Sequence, residues 1–213
     1  MRAATIVDGN LEVRDHPDPE PGAGEVLVRV RGAGLNGADI LQRKGGYPAP
    51  PGAPKDIPGL ELAGEVVGLG AGAERFSEGD RVMAIVGGGG QAELAVVHER
   101  QLMAVPDGLD WPQAGGTPEV FTTAHDAIFT QGRLKAGERL LVHGAAGGVG
   151  TAAVQLGRTA GAHVTATVRN PGTRSEVEAL AAHEAIAPAG SGAHGPFDVG
   201  RGLVGAPTLP PNL

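Results

Sequence analysis

Along the first half of the chain, apolar residues come in short blocks set apart by glycine and proline. Glu25 to Val30 (EVLVRV), Leu62 to Leu69 (LAGEVVGL), Arg81 to Val86 (RVMAIV) and Ala92 to Val97 (AELAVV) have the length and β-branched content of strands. Their spacing predicts an antiparallel β barrel or sandwich. Gly45 to Pro58 (GGYPAPPGAPKDIP) holds five prolines. It cannot be the interior of a helix and is expected to be a long loop of the functional kind. Gly87 to Gly90 reads either as a flexible linker or as a plain hairpin connection.

After Trp111 the rhythm changes. Gln113 to Phe129 reads as helix interrupted at Pro118, Gly132 to Gly137 as a turn, and Arg139 to His143 as a strand apolar on both faces. Val149, Ala152, Ala153, Leu156 and Ala160 then recur at helical spacing, and Gly161 stands where a left-handed cap would end that helix. His163 to Val168 gives a further strand. The change predicts a domain boundary near residue 120, with a β domain at 1–120 and an α/β domain at 121–213.

Composition narrows the chemistry. With 213 residues and 41% apolar content the chain can bury a real core. The 37 glycines and 17 prolines therefore serve turns and close approaches more than disorder. Seventeen basic against 24 acidic residues give a net charge of −7, and no basic run offers a nucleic-acid surface. There are no cysteines, which excludes disulfides, thiolate nucleophiles and thiolate metal sites. No stretch of about eighteen apolar residues and no apolar leader segment are visible, so a soluble cytoplasmic protein without a membrane partner is the expectation.

The segment Arg139 to Asn170 (RLLVHGAAGGVGTAAVQLGRTAGAHVTATVRN) reads as strand, glycine turn, helix, strand. A diphosphate needs several donors at once, and the free N–H groups of a helix N-terminus supply them without a cationic side chain. Matched to G-x-G-x-x-G, the first position is Ala145, with Gly144 one place earlier. Gly147 would let the backbone approach the phosphates, and Gly150 would let the helix pack on the strand. The candidate dinucleotide-binding residues are Ala145, Gly147, Gly148, Val149 and Gly150. At the end of the next strand, where an acidic residue would hold a free ribose diol, stand Arg169 and, close behind, Arg174. Guanidinium groups there suit a 2′-phosphate, which points to NADP(H).

These blocks, together with GEVLVRVRGAGLNGADI (Gly24 to Ile40), GGYP (Gly45 to Pro48), PGLELAGEVVGLG (Pro58 to Gly70), FSEGDRV (Phe76 to Val82) and VHGAAGGVGTAAVQL (Val142 to Leu156), resemble the zinc-independent, zeta-crystallin-like quinone oxidoreductases of the medium-chain dehydrogenase/reductase superfamily. The resemblance implies an N-terminal GroES-like β barrel, then a Rossmann domain, with NADPH-dependent reduction of a quinone or α,β-unsaturated carbonyl by direct hydride transfer. Zinc members carry a cysteine where this chain has Asn36 and a histidine where it has Leu60, so no metal is expected.

The resemblance also places a tyrosine beside the nicotinamide or substrate at Tyr47, the only tyrosine in the chain. Its phenol would bond the acceptor oxygen, or the residue would only anchor its loop. Asn36 would orient the nicotinamide ribose or the substrate oxygen, and Asp39 is as readily a helix-start residue as a participant. Thr123 matches a threonine that lies against the cofactor, with a helix-cap role as the alternative. A 2-enoyl thioester reductase, with Arg43, Lys44 and Lys55 at the entry, is the rival enzyme. A non-catalytic paralogue that binds NADPH or a full-length relative is the rival of another class.

The chain departs from its relatives at the end. A third parallel strand is due near Phe197-Asp198-Val199, yet Gly200-Arg201-Gly202 follows, a poor centre for a buried strand. It therefore reads as a C-terminally truncated member with an incomplete Rossmann domain, able to form a homo-oligomer only without the usual dimer edge.

Overall fold

A computed structural model describes residues 1–201. The chain divides into two compact units, Met1–Glu119 and the part from Val120 onward.

The first unit opens with a ribbon that the hydrophobic pattern does not announce. Strands β1 (Arg2–Val7) and β2 (Asn10–Asp15) pair antiparallel. Asp8 and Gly9 between them both take positive φ, 48° and 75°, the conformation that makes Asp-Gly a hairpin turn. Strands β3 (Glu25–Gly32), β4 (Glu61–Leu69), β5 (Arg81–Ile85), β6 (Leu94–His98) and β7 (Leu102–Ala104) form one antiparallel sheet in the order β6-β3-β4-β5-β7. Alternation decides which face is inside. Val26, Val28, Leu62, Val66, Val82 and Val97 are buried together, while Ala63 and Met83 on the other face meet Ala114 of the short helix Trp111–Gly115. Helix α1 (Gly37–Arg43) and the proline-rich loop lie between β3 and β4.

Gly87 to Gly90 is neither a linker nor a hairpin. It connects β5 to β6, which are not neighbours in the sheet, and Gly88, Gly89 and Gly90 are buried. A Cβ on Gly87 would stand 2.5 Å from Pro50, and one on Gly88 2.8 Å from the carbonyl of Pro54. The run is the floor on which the proline-rich loop rests, and it is glycine because nothing larger leaves room for the loop.

Helix α2 (Pro118–His125) begins at the end of the first unit, continues into the second and passes into a π-helical turn at Asp126–Gln131; the interruption expected at Pro118 falls between it and the short helix Trp111–Gly115, with Pro118 as the first residue of the new helix. Strands β8 (Arg139–His143), β9 (His163–Thr167), β10 (Glu184–Ile186) and β11 (Val199–Arg201) pair parallel in the order β10-β9-β8-β11. Helix α3 (Gly148–Thr159) joins β8 to β9, and α4 (Arg174–Ala179) joins β9 to β10. Leu140, Leu141 and Val142 are fully buried, as a strand covered on both faces requires. Helix α3 ends as expected, Gly161 taking φ +81° while the amide of Ala162 bonds the carbonyl of Gly157 at 3.0 Å. The third parallel strand in chain order is β10, which the sequence pattern does not announce, and the strand due near Val199 forms as the fourth. It is three residues long and pairs Val199 with Leu140 and Gly200 with Leu141, so backbone bonding carries a segment whose composition argues against it. The molecule thus has the expected β half followed by a parallel α/β half, a GroES-like unit and a partial Rossmann unit.

One pH effect follows from this unit. Partial loss of hydration, then the stacked ring of His163 and the guanidinium of Arg158, hold His183 below the ordinary imidazole value of 6.5, and its Nδ1 accepts from the amide of Val164 at 2.9 Å. A depressed imidazole pKa means that the unfolded chain binds the proton more readily. The stability His183 gives is full above that ordinary value and is lost as pH falls below it. Thermal melting of the unaltered chain is expected to drop from about pH 7 to about pH 5 by more than that of His183→Asn, which keeps an acceptor but cannot titrate. Equal drops would refute the role.

Candidate cofactor and active site

The sheet order places a reversal between β8 and β11: the chain winds one way through β9 and β10 and returns to the other side of β8. In open parallel sheets such a switch point, at the carboxyl ends of the strands, is where the connecting loops part and leave a crevice. The glycine turn leaves β8 there. Gly144 takes φ +67°, which sends the chain sharply back, and the amide of Gly147 bonds the carbonyl of Gly144 at 3.0 Å. Gly147 caps α3 without a side chain, and the first helical bond runs from the Thr151 amide to the Gly147 carbonyl at 2.8 Å. The amides of Gly148, Val149 and Gly150 therefore form the first turn, aimed along the helix axis with no intrahelical acceptor.

Gly150 has a packing reason to be glycine, since a Cβ there would stand 2.5 Å from the Gly144 carbonyl and 2.6 Å from Cα of Ala145. Ala145 itself is fully buried, and its amide bonds the carbonyl of Thr167 at 3.1 Å. The structure thus puts it beneath the turn as a brace to β9, and the left-handed first position belongs to Gly144.

Because β8 and β9 pair in register up to His143 and Thr167, the residues after both lie at one edge of the sheet. Arg169 is exposed there. Asn170 accepts the Gly172 amide at 3.0 Å and so folds the link to α4, whose first residue is Arg174. The Nε of Arg174 is buried and has no hydrogen-bond partner among the described residues. Thr123 lies on α2, whose Val120 packs beside Gly148 of the turn, and with Asp126, Gln131, Gly132, Val199 and Gly200 it lines an open cavity of about 680 Å³ against β11. None of the turn residues lines that cavity. His143 is a buried strand residue bonded through Nδ1 to Thr167 Oγ1 at 3.0 Å.

The first unit holds the other candidates. Asn36 precedes α1, and its amide bonds Asp39 Oδ2 at 2.8 Å. Asp39 also accepts the Gly59 amide at 3.1 Å, so this helix-start residue ties α1 to the approach of β4. The Asn36 side chain donates through Nδ2 to Glu61 Oε1 at 2.9 Å, and the amide of Glu119 donates to Glu61 Oε2 at 2.8 Å. Glu61 is 1% exposed, and burial pushes its carboxyl above the ordinary range. Sequence reasoning passes over it because its partners lie far away along the chain. The first of two acidic residues in a mostly apolar block, Glu61 at the head of LELAGEVV, is the available signal. Tyr47 is 41% exposed in the loop carried by the glycine floor. Among the described residues no group of three or more His, Asp or Glu is placed to hold a metal ion. No helix among them is long and apolar enough to cross a membrane.

Comparison with known proteins agrees with this architecture. Residues 22–107 match the alcohol dehydrogenase GroES-like domain. The chain is 42% identical over 162 residues to a quinone oxidoreductase of Pseudomonas aeruginosa, spanning 76% of this chain and 49% of that protein. It is 43% identical over 158 residues to erythronolide synthase EryA2 of Saccharopolyspora erythraea, spanning 74% of this chain and 4% of the synthase. The chain thus spans half or less of these two relatives. The quinone oxidoreductase of Thermus thermophilus, solved also with NADPH, superposes with a TM-score of 0.85 at 35% identity, over 99% of this chain and 69% of that one. A sheet that reverses beside a glycine turn, a GroES-like unit before it and this degree of likeness have one reading: the chain belongs to the medium-chain dehydrogenase/reductase superfamily, among its quinone oxidoreductases.

Proposed function

We propose that the chain binds NADPH and serves the zinc-free reduction of quinones or α,β-unsaturated carbonyls. The observation that carries the reading is the uncapped N-terminus of α3 at the sheet's reversal, with Arg169 exposed at the end of the adjoining strand. The residues fit the cofactor. The Gly148, Val149 and Gly150 amides would seat a diphosphate, with the helix dipole adding attraction. Arg169, joined by Arg174 whose Nε has no partner among the described residues, would pair with a 2′-phosphate.

When bound, the nicotinamide supplies a hydride. The chain's own part is to orient the reactants, exclude water and steady the charge that develops on the acceptor oxygen. The Tyr47 hydroxyl holds a proton it can share with that oxygen, and Asn36 fixes a neighbouring hydroxyl or carbonyl through its amide. With Asn36 and Leu60 at the positions where zinc relatives place ligands, acceptors that delocalise incoming charge themselves are favoured. Thr123, on the helix that packs beside the turn, would lie against the cofactor.

The likeness to the solved CurK enoyl reductase, at 25% identity and a TM-score of 0.87, favours a second reading, an enoyl thioester reductase whose entry is Arg43, Lys44 and Lys55. Following NADPH oxidation with a quinone and, separately, with crotonyl-CoA distinguishes the two. Turnover of the quinone and not of the thioester is the expected result, and the reverse would transfer the assignment. NADPH binding without turnover of either would make the chain a binding protein.

A further inference from the structure

Strand β2 is exposed along its whole length, and among the described residues no strand pairs with it on the side away from β1. The backbone groups on that side follow from the bonds of β1. Arg2, Ala4 and Ile6 turn away from β2: the Arg2 carbonyl accepts from the Glu93 amide at 3.0 Å, and the Ala4 and Ile6 amides donate to the carbonyls of Gln91 and Asp56 at 2.9 and 2.7 Å. Their ladder partners Asp15, Val13 and Leu11 are therefore the residues of β2 whose N–H and C=O point outward. Bare backbone of this kind is a template for another strand, and Leu11 and Val13 on it are 49% and 74% exposed. We infer that β2 is a docking edge for a second copy of this chain, paired antiparallel about a two-fold axis at Val13, so that two ribbons join as one sheet in the order β1-β2-β2-β1.

Charge selects both the occupant and the register. Ladder bonds form only where outward-facing residues meet, so among registers that overlap most of the strand the axis falls at Glu12, Val13 or Arg14. An axis at Glu12 or at Arg14 sets that residue against its own copy, like charge on like. With the axis at Val13, each Val13 exchanges both backbone bonds with Val13 of the second copy, and Leu11 does so with Asp15. In the close pairs between these, Glu12 stands against Arg14 of the second copy, and the two-fold repeats the pair. The strand NLEVRD is thus complementary to itself in one register. Glu12 and Arg14 already lie on one face of it, with Arg14 Nη2 and Nε 2.9 and 3.1 Å from Glu12 Oε2 in a half-exposed and therefore weak pair, open to sharing. Leu11 and Val13 share the other face with Ala4 and Ile6, and pairing carries that apolar stripe across the axis, where the two Val13 side chains meet. Asp15, opposite Leu11 of the second copy, keeps Arg2 beside it in its own chain. A contact of six residues on each side is small, so the dimer is expected to dissociate on dilution.

Sedimentation velocity of the full chain, over concentrations from micromolar to millimolar, reads the association. The unaltered chain is expected to show a reversible monomer–dimer equilibrium. Val13→Pro removes the central outward N–H while sparing the bonds between β1 and β2, and is expected to stay a folded monomer throughout. Glu12→Arg and Arg14→Glu each turn two attractive pairs into two repulsive ones, and each is expected to weaken self-association by about tenfold or more. Mixed one to one, the two charge variants are expected to associate with each other about as well as the unaltered chain does with itself, because one brings two cations to the edge and the other two anions. The double variant Glu12→Arg with Arg14→Glu is expected to dimerise alone, its pairs being reversed but still opposite. If Val13→Pro does not fold, the mixing experiment decides, since it exchanges only exposed side chains. A monomer at every concentration, association that survives in folded Val13→Pro, or charge variants that do not recover on mixing would overturn the inference.

Discussion

Gly150→Val is expected to cost the second unit about 3 kcal/mol or more and to lower its melting temperature by about 10 °C. A Cβ at this position would meet backbone atoms, the Gly144 carbonyl at 2.5 Å and Cα of Ala145 at 2.6 Å, which cannot swing aside as a flexible side chain could. The helix would have to lift from the turn, and Ala145, fully buried beneath it, would move as well. Gly147→Ser is the informative contrast. A Cβ at Gly147 finds only the Gly144 carbonyl at 3.4 Å, and its φ of −85° suits any residue. Serine is also a better helix cap than glycine, so stability is expected to hold or rise. The hydroxyl would however occupy the very amides proposed for the diphosphate, and NADPH affinity should fall about tenfold. Thermal melting together with a fluorescence titration checks both. Stable binding-competent Gly147→Ser protein would remove the diphosphate seat from α3.

Arg169→Asp is expected to reverse cofactor preference. A guanidinium on a phosphate is a charge-assisted pair worth about 2 kcal/mol, or about thirtyfold in affinity, and an aspartate in its place repels the phosphate while accepting from a free diol. Parallel titrations with NADPH and NADH measure the ratio. Because Arg169 is exposed and precedes a turn held by Asn170, the exchange should leave the fold alone. An unchanged ratio would reject the 2′-phosphate role, with Arg174 as the remaining cation.

The unit around β8, α3 and β9 was legible because its signals are local. An apolar run, a glycine turn, a helical stripe and Gly161 follow one another within a single stretch, and the strand and cap appear where they were placed. Sheet neighbours in the first unit were not legible, since β5 and β6 follow each other in sequence but stand in the sheet with β3 and β4 between them. That separation makes a packing floor of the glycine run, which the sequence alone offers equally as a flexible linker or a hairpin connection. The β1–β2 ribbon is marked in sequence by Asp8-Gly9 and by Leu11 and Val13 alternating with polar residues, but that short alternation is not a buried face, since β2 is exposed along its whole length. In the candidate site the types of residue could be read, but not the service of Glu61 to Asn36 and Glu119, which are brought to it only by folding.

The floor beneath the proline-rich loop has a wider meaning. Gly87 to Gly90 hold the platform under Tyr47's loop by contributing no side chain at all. The address of that tyrosine is thus written partly as empty space, in positions that offer no reactive group to a search for chemistry. Redesign of this loop has to treat Gly87 and Gly88 as part of the reagent, because filling either one meets Pro50 or Pro54 and shifts the bench on which the phenol stands.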